Sequence, residues 1–335
     1  MSVLIVIPAR YASTRYPGKP LVELRGAGGE AKSLIHRSWD AAMSVKGVDR
    51  VVVATDDDRI KEHAEAFGAE VVMTSEACQN GTERCAEAFD ILGGGFDIVV
   101  NLQGDAPLTP AWFVEDLVAG LSAHPVAEVA TPVLRTEGAA LNGFLEDRRA
   151  GRVGGTTAVF GADNNALYFS KEVIPYTGKT YADQDDTPVF HHVGVYAYRP
   201  SALATYPRWA MGPLERLEGL EQLRFLERGA HVLCVEVDAK GRQFWEKILL
   251  KDVGLEKEKI QLQGVWLTHL HFDHTAGIVD LPKDIPYVVG KNERYTNFRF
   301  FIQSDHLAGI DALYEIDFAT GIDLPPLGKG VDVFG

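Results

Sequence analysis

The residues best suited to chemistry lie in segment 8–20, directly after the apolar, β-branched run 3–7, which predicts a buried first strand. This segment holds three cations, two small hydroxyl residues and a turn glycine, which are Arg10, Arg15, Lys19, Ser13, Thr14 and Gly18. The two arginines can hold phosphate oxygens through paired N–H donors, and the lysine adds a compact charge. The glycine lets the backbone approach a ligand closely. In a chain with a formal net charge of −14, this clustering of cations predicts a phosphate-binding loop in preference to a solvated basic turn.

A carboxylate follows another apolar strand at Asp105, in the motif Asn101-Leu102-Gln103-Gly104-Asp105. An Asp at the end of a strand is often a turn former or a helix cap. Opposite a cationic loop, the same carboxylate is suited to hold Mg²⁺ against a nucleoside triphosphate. Phosphoryl-type transfer requires neutralisation of charge around the reacting phosphorus, and the two segments together can supply it.

Two further groups of residues carry alternative interpretations. Segment 80–84 offers a turn glycine, a hydroxyl and a helix start, so that Thr82 is either a ligand contact or a simple N-cap. His192, Tyr196 and Tyr198 alternate along one predicted strand. With Glu221 and Gln222 on a predicted helix over 214–228, they can grip a polyhydroxylated substrate, or they form half-buried and solvated surfaces.

The most specific metal-ligand spacing in the sequence lies in segment 268–274. Its candidate ligands are His269, His271, Asp273 and His274. Alternate histidines leaving a strand, followed by an Asp-His pair, can surround one or two zinc ions. The alternative is a chance cluster of histidines in a turn.

The elements that position these residues alternate between strand and helix over the first 130 residues. The predicted strands are 3–7, 51–54, Glu70–Met73, 97–102 and 129–132, and the predicted helices are 33–43, 58–67, 82–92 and 110–121. This alternation predicts an α/β fold with a mostly parallel sheet and helices on both faces. Ligands in such sheets bind beyond the carboxyl ends of the strands. Short strands over 156–160, 166–169 and 192–198 are expected to extend the sheet in antiparallel fashion, before a strand at 231–237.

Composition narrows the class of protein. With 335 residues, 46% hydrophobic and 24% charged, the chain is typical of a globular protein with an ample core. The negative charge argues against binding to nucleic acid or to an anionic membrane. Three cysteines at unrelated spacings predict reduced thiols, and no leader or membrane-spanning run is recognised, so a cytoplasmic location is expected.

A series of ordered motifs carries a family resemblance over residues 1–246. They are Ile7-Pro8-Ala9-Arg10-Tyr11-Ala12-Ser13-Thr14-Arg15-Tyr16-Pro17-Gly18-Lys19-Pro20-Leu21, Val53-Ala54-Thr55-Asp56, Gly81-Thr82-Glu83-Arg84, Asn101-Leu102-Gln103-Gly104-Asp105, Ala166-Leu167-Tyr168-Phe169-Ser170, His192-Val193-Gly194-Val195-Tyr196 and Leu220-Glu221-Gln222-Leu223-Arg224. This part of the chain resembles the 3-deoxy-manno-octulosonate (KDO) cytidylyltransferases, or CMP-KDO synthetases. The resemblance implies a nucleotide-diphospho-sugar transferase-like, Rossmann-like mixed sheet. It also implies a homodimer that uses CTP and Mg²⁺ to activate KDO for lipopolysaccharide synthesis.

The resemblance also implies roles for single residues. The triphosphate would be bound by Arg10, Ser13, Arg15 and Lys19, the last two steadying charge at the α-phosphate, and the rest of the nucleotide by Gln79, Gly81, Thr82 and Arg84. Asp105 would bind Mg²⁺, and the sugar acid would contact His192, Tyr196, Glu221 and Gln222. A hydroxyl of KDO would then attack the α-phosphorus and expel pyrophosphate without a protein nucleophile.

Near residue 246 the sequence departs from this family. A polar or acidic segment that closes over the metal in the family is replaced here by apolar residues, among them Ile248 and Leu249. Residues 247–335 resemble instead an incomplete piece of the metallo-β-lactamase superfamily, of the lactonase type, through the motif at 267–277. We therefore expect a cytidylyltransferase domain over 1–246 and a partial metallo-β-lactamase-like segment over 247–335.

Three functions remain open on the sequence alone. The first is a Mg²⁺-dependent cytidylyltransferase. The second is a zinc-dependent hydrolase of lactones or similar esters. The third is a fusion that binds CTP without turnover, because the C-terminal segment 247–335 has inactivated the cytidylyltransferase site. Residues 247–335 correspond to half of the sandwich of the metallo-β-lactamase superfamily, without its partner sheet. Replacement of one peripheral segment damages the first site less than the absence of half a fold damages the second, so the first function is favoured.

Overall fold

The structure is a computed structural model that describes residues 1–12, 17–25, 30–153 and 155–237, and beyond them the backbone of five short strands. The strands are β1 (Val3–Ala9), β2 (Glu23–Arg25), β3 (Ala31–Ser33), β4 (Arg50–Thr55), β5 (Glu70–Met73), β6 (Ile98–Asn101), β7 (Val129–Glu137), β8 (Thr156–Phe160), β9 (Ala166–Ser170), β10 (Asp186–His192), β11 (Tyr196–Tyr198), β12 (Val232–Glu236), β13 (Val265–Leu267), β14 (Tyr287–Gly290), β15 (Leu313–Ile316), β16 (Asp323–Leu324) and β17 (Gly328–Lys329). The α-helices are α1 (Leu34–Met43), α2 (Asp58–Ala66), α3 (Gly81–Ile91), α4 (Ala111–Ala123), α5 (Gly138–Arg149), α6 (Pro200–Thr205), α7 (Pro213–Glu218) and α8 (Leu223–Glu227).

The main sheet has the strand order β5-β4-β1-β6-β11-β7-β10-β8-β9, with β12 paired to β7. Strands β5, β4, β1 and β6 run parallel, as the alternation of strand and helix predicts. Strand β11 is antiparallel to both β6 and β7 and separates them. Strands β10, β8 and β9 continue the sheet in antiparallel fashion. The predicted mixed sheet is therefore confirmed.

Helices cover both faces of the parallel strands. Strand β1 is buried at all seven positions, because its side chains alternate between two cores. Leu4 and Val6 belong to the core that includes α3, whereas Ile5 and Ile7 belong to the core that includes α1, α2 and α4. A strand buried on both faces requires the continuous apolar run from which it was predicted.

Two predicted elements are wrong in detail. The single strand expected over 192–198 is two strands, because β10 ends at His192 and β11 begins at Tyr196. The helix expected over 214–228 is two helices, α7 and α8, since the backbone at Gly219 has φ +63 and ends α7 in a left-handed cap. Helices α5 and α6 and the β2–β3 hairpin were not predicted.

The chain divides into two compact units. The first comprises Met1–Arg135, Thr156–Pro175 and Val189–Asp238, and the second comprises Thr136–Gly155, Tyr176–Pro188 and Ala239–Gly335. In the second unit, β13, β14 and β15 form a parallel three-stranded sheet, and β16 pairs with β17. The predicted domain boundary after residue 246 falls outside the described residues and stays a prediction. Among the described helices, none has the length and apolar character needed to cross a membrane.

Candidate active site

The candidate site lies at the carboxyl edge of the parallel strands in the first unit. Strands β1 and β4 end side by side, with Ala9 opposite Thr55, and β6 ends on the other side of β1 at Asn101. Three polar loops follow these strands, at residues 8–20, 55–58 and 103–107, and therefore leave the sheet at one edge. The sequence predicts that such loops gather at this edge, and their described parts confirm it.

The cationic loop and the carboxylate meet at this edge. Nζ of Lys19 lies 2.9 Å from Oδ2 of Asp105, and the two side chains are 35% and 52% exposed. Because both groups are accessible, a ligand can reach either of them. Arg10 is also exposed, directly after β1.

A close backbone approach brings the Asp105 loop against β1. A Cβ atom on Gly104 would lie 2.8 Å from the carbonyl oxygen of Pro8, so a larger residue would force the two loops apart. The Oγ of Ser38, on α1, donates to the carbonyl oxygen of Gly104 at 3.0 Å. The glycine and the buried serine together fix the position from which Asp105 projects.

The N-terminus of α3 is built into the same edge. Its N-cap is Asn80, whose Oδ1 accepts from the backbone N–H of Glu83 at 2.9 Å. Thr82 is therefore not the N-cap, although that was one of its two interpretations. A Cβ atom on Gly81 would lie 3.1 Å from Nδ2 of Asn101. A side chain at residue 81 would therefore press against Asn101, which favours glycine where the helix starts close to β6.

Thr82 is buried and links α3 to the antiparallel strand β11. Its hydroxyl is 2.8 Å from the hydroxyl of Tyr198, and its backbone N–H donates to Oε2 of Glu221 at 3.2 Å. Burial raises the pKa of Glu221, against the opposing effect of the hydrogen bonds from Thr82. The predicted nucleotide-side residue Thr82 and the predicted sugar-side residue Glu221 are thus direct neighbours.

The predicted sugar-acid contacts form a second hydrogen-bonded group. The Tyr196 hydroxyl donates to Oε1 of Gln222 at 3.1 Å, and Nε2 of Gln222 is 3.4 Å from Nδ1 of His192. The other ring nitrogen of His192 is 2.9 Å from Oγ1 of Thr131. His192 and Tyr196 face each other, with ring centroids 5.6 Å apart, although they lie on different strands. The structure therefore brings these three predicted residues together.

Arg84 and Gln79 have different surroundings from the loop cations. The guanidinium of Arg84 is buried, pairs with Oδ2 of Asp56 at 2.6 Å and donates to the hydroxyl of Thr74. Gln79 is exposed, one residue before the N-cap of α3. Contact of either residue with a nucleotide stays a prediction.

A buried ionic network, not foreseen from the sequence, braces the start of α3. Arg224 donates to both carboxylate oxygens of Glu215 at 2.7 Å and to Oε1 of Glu83 at 2.9 Å. Oε2 of Glu83 in turn accepts from the backbone N–H of Gln79 at 2.8 Å. The sequence signal was the spacing of Asn80 and Glu83, which resembles a capping box. No local sequence pattern indicates that Arg224 pairs with Glu83.

Several predicted residues lie outside the described part of the chain. They are Ser13, Arg15, His269, His271, Asp273, His274, Ile248 and Leu249. Their predicted contacts with triphosphate or zinc, and the effect of the replaced closing segment, stay predictions.

The burial of His192 leads to a prediction about acid stability. Burial lowers the pKa of His192 to about 3, from an ordinary value of 6.5. The His192 imidazole is therefore protonated below pH 6.5 in the unfolded chain, but only below about pH 3 in the folded chain. The contribution of neutral His192 to the free energy of unfolding is therefore fully present above pH 6.5 and decreases as the pH falls below that value. Between pH 7 and pH 5 we expect a loss of about 2 kcal/mol from His192.

Urea unfolding of the wild type and of His192→Gln at both pH values measures this contribution. The variant should lose about 2 kcal/mol less stability on acidification than the wild type. The control is His231→Gln, at an exposed histidine in the same unit, which should behave as the wild type does. Equal acid sensitivity of His192→Gln and wild type would contradict the prediction.

The fold and the site define a class of protein. A cationic loop, a carboxylate and a helix N-terminus at the carboxyl edge of a parallel sheet are suited to bind a nucleotide and neutralise its phosphates, as in a nucleotidyltransferase. A sequence model described as Cytidylyltransferase matches residues 4–236. The chain therefore belongs to the cytidylyltransferase family.

Individual relatives agree with this assignment. The 3-deoxy-manno-octulosonate cytidylyltransferase of Maricaulis maris (strain MCS10) is 42% identical over 265 residues, which are 79% of this chain and 97% of the relative. The 8-amino-3,8-dideoxy-manno-octulosonate cytidylyltransferase of Shewanella frigidimarina (strain NCIMB 400) is 40% identical over 240 residues, 71% of this chain and 91% of the relative.

A solved structure of CMP:2-keto-3-deoxy-manno-octonic acid synthetase complexed with CTP superimposes with a TM-score of 0.62 and 34% identity. The match covers 76% of this chain and all of that chain. The resemblance over the first part of the sequence, and the fold class it implied, are confirmed. A second model, described as Metallo-beta-lactamase superfamily, matches residues 238–323, which include the histidine-rich motif.

Proposed function

We propose that this chain transfers CMP from CTP to 3-deoxy-manno-octulosonate, giving CMP-KDO and pyrophosphate for lipopolysaccharide synthesis. The observation that carries the proposal is the meeting of Lys19 and Asp105 at the strand edge against which α3 begins. Relatives named 3-deoxy-manno-octulosonate cytidylyltransferase, which are about as long as the matched part of the chain, also support the proposal.

The triphosphate is assigned to the cationic loop. Arg10 and Lys19 project from its two ends, and Arg15 and Ser13 lie between them in the sequence. A pentacovalent phosphorus carries more negative charge on its oxygens than the ground state does, so fixed cations beside it lower the barrier. A hydroxyl of the sugar acid is the nucleophile and pyrophosphate is the leaving group, which leaves the protein the tasks of binding and orientation.

The remainder of the nucleotide is assigned to the start of α3. The first N–H groups of a helix lack partners within the helix, so they can donate to the carbonyl and hydroxyl oxygens of a nucleoside. The N–H of Thr82 already donates to Glu221, so Gly81, which brings the backbone close to the strand ends, is the better candidate for direct contact. Gln79 and Arg84 complete the proposed nucleotide contacts.

The sugar acid is assigned to His192, Tyr196, Glu221 and Gln222. Hydroxyls, an amide, a carboxylate and an uncharged imidazole can recognise a polyhydroxylated ligand through hydrogen bonds. Since burial keeps His192 neutral at physiological pH, it acts as a hydrogen-bonding group and not as a cation for the sugar carboxylate.

The donor set at the strand edge fits a magnesium ion that arrives with the nucleotide. Mg²⁺ in phosphate-binding sites is usually held by one or two carboxylates together with the substrate phosphates. Asp105 is accessible and can supply one carboxylate, whereas within the described residues no three or more Asp, Glu, His or Cys side chains are arranged to hold a metal ion by themselves. When bound, the ion would neutralise phosphate charge. Lys19, released from Asp105, would then have the phosphates as its partner.

Release of pyrophosphate by the full-length chain tests the proposal. Incubation with CTP, KDO and Mg²⁺ should release pyrophosphate, and omission of the sugar or of the metal should abolish the release. A version ending at Glu246 measures the influence of the tail, and the 8-amino analogue of KDO measures substrate preference. Tight CTP binding in calorimetry without turnover would instead support a fusion with a spoiled active site.

A zinc site in segment 269–274 is a second proposal. It rests on the spacing of the histidines and on the match to the metallo-β-lactamase superfamily. The full-length chain should then retain zinc after stripping and reloading, and the version ending at Glu246 should not.

We further propose a homodimer in the cytoplasm. The dimer rests on the family resemblance. The location is supported by the cysteines, all three of which lie in the described part of the chain and are free thiols.

A further inference from the structure

An arginine outside the proposed site holds the base of the cationic loop. Arg59 lies at the second position of α2, and its guanidinium carbon lies 3.3 Å from the centroid of the Tyr11 ring. Its Nε and Nη2 donate to the two oxygens of Asp57 at 3.0 Å and 2.7 Å. The bidentate pair sets the orientation of the planar guanidinium against the ring.

The same tyrosine closes the loop. The backbone N–H of Gly18 donates to the carbonyl oxygen of Tyr11 at 2.9 Å. A Cβ atom on Gly18 would lie 3.0 Å from Cε2 of the Tyr11 ring, and the residue has φ +74. A side chain at residue 18 would therefore be strained by its backbone conformation and would press against the ring, which favours glycine there.

The anchor of this arrangement is fixed to the sheet. Asp57 is the N-cap of α2, since its Oδ1 accepts from the backbone N–H of residue 59 at 3.0 Å. Its own N–H donates to Oγ1 of Thr55, at the end of β4. A rigid strand end thus holds an aspartate, the aspartate holds Arg59, and Arg59 covers the ring that closes the loop.

We propose that Arg59 is a positioning residue that holds Tyr11 against Gly18, and through them sets the place of Arg10 and Lys19 at the phosphates. Arg10 directly precedes Tyr11 and Lys19 directly follows Gly18, so the hydrogen bond between residues 11 and 18 determines the spacing of the two cations. The inference rests on the proposed function in assigning phosphates to this loop.

Because Arg59 is exposed, its replacement should weaken ligand binding and have little effect on the free energy of unfolding. Its side chain is 58% exposed, and exposed ion pairs contribute little to stability. A cation over an aromatic ring at an exposed site stabilises the position of that ring only modestly. Loss of the arginine should therefore weaken CTP binding about two- to fivefold.

The test compares CTP with cytidine, which has no phosphate. Calorimetry of Arg59→Ala should show this loss for CTP with unchanged affinity for cytidine, and the KM for CTP should rise with little change in kcat. Arg59→Lys keeps the charge but not the planar guanidinium, so its affinity for CTP should lie between those of wild type and Arg59→Ala. Arg208→Ala removes an exposed arginine elsewhere in the first unit and is the matched control.

Two further measurements separate positioning from direct contact. In a Tyr11→Leu background, Arg59→Ala should have no additional effect on CTP binding, and Tyr11→Phe should behave as wild type. Additive effects would mean that Arg59 contacts the phosphates itself and would overturn the proposal. An equal loss for CTP and cytidine would overturn it as well.

Amide exchange reports on the loop without any ligand. By NMR of the full chain, the Gly18 amide should exchange faster in Arg59→Ala than in wild type and Arg208→Ala, and unchanged exchange would overturn the proposal. If wild type does not bind CTP, the proposed function fails, while the exchange of Gly18 still decides whether Arg59 positions the loop.

Discussion

Replacement of Arg224 by methionine is expected to lower the free energy of unfolding by about 3–5 kcal/mol. The side chain of Arg224 is 3% exposed, as is that of Glu215, its bidentate partner. Removal of the guanidinium leaves the Glu215 carboxylate buried without its cation and takes a partner from Glu83. The cost is the desolvation of charges that have lost their compensation, which exceeds the value of the ion pair itself.

The exposed ion pair between Arg50 and Glu70 provides the matched control. It also has two hydrogen bonds, but its side chains are 36% and 45% exposed. Arg50→Met should therefore cost at most about 1 kcal/mol. Urea unfolding of both variants measures the difference. Equal losses in the two variants would show that burial does not determine the cost.

A double variant shows whether uncompensated charge is the cause. Arg224→Met combined with Glu215→Gln removes one buried carboxylate together with the cation, so it should recover part of the stability lost in the single variant. No recovery would point to lost packing, since the guanidinium also lies over the Tyr206 ring, 4.2 Å from its centroid.

The sequence predicted the parallel part of the fold well, because that part is governed by local pattern. The run that became β1 is apolar at every position since both faces are covered, and the boundaries of β5 agree with the structure. The three loops at the strand ends followed from a general property of parallel sheets. For the same reason Lys19 and Asp105 could be expected to meet although they are 86 residues apart.

The antiparallel part was predicted less well, because its pattern is set by distant contacts. Whether the chain bends between His192 and Tyr196 depends on the insertion of β11 between β6 and β7, which no local pattern records. The break at Gly219 was visible as a glycine, but glycine within a helical pattern is also tolerated. Only the positive φ in the structure shows that it ends α7.

The direction of charged side chains was the least predictable feature of the site. Lys19 lies in a motif that predicts phosphate binding, and the resemblance assigns Arg84 to the rest of the nucleotide. Yet Arg84 is buried against Asp56, whereas Lys19 is accessible at the strand edge. Arg59 and Arg224 carried no motif that assigned them a role. Burial and partner choice arise from packing between elements, and composition and spacing do not encode them directly.

Lys19 should show the opposite behaviour to Arg224: a large loss of activity with little loss of stability. If Lys19 neutralises charge at the reacting phosphorus, Lys19→Met should lower kcat/KM for CTP about 10²- to 10³-fold, the effect of removing one preorganised donor to a developing negative charge. Its ion pair with Asp105 is solvent-accessible, so the free energy of unfolding should change by less than about 1 kcal/mol.

Steady-state pyrophosphate release and urea unfolding of the same preparations separate the two effects. Lys46→Met, at an exposed lysine beyond the C-terminus of α1, is the matched control and should leave both quantities unchanged. Lys19→Arg keeps the charge on a bulkier group, so it should retain more activity than Lys19→Met. If kcat/KM stayed within about threefold of wild type in Lys19→Met, well below the loss expected for a transition-state contact, the loop would bind CTP without taking part in the chemical step. Because the ion pair is accessible, a folded but inactive Lys19→Met variant would locate the reacting phosphate at this strand edge.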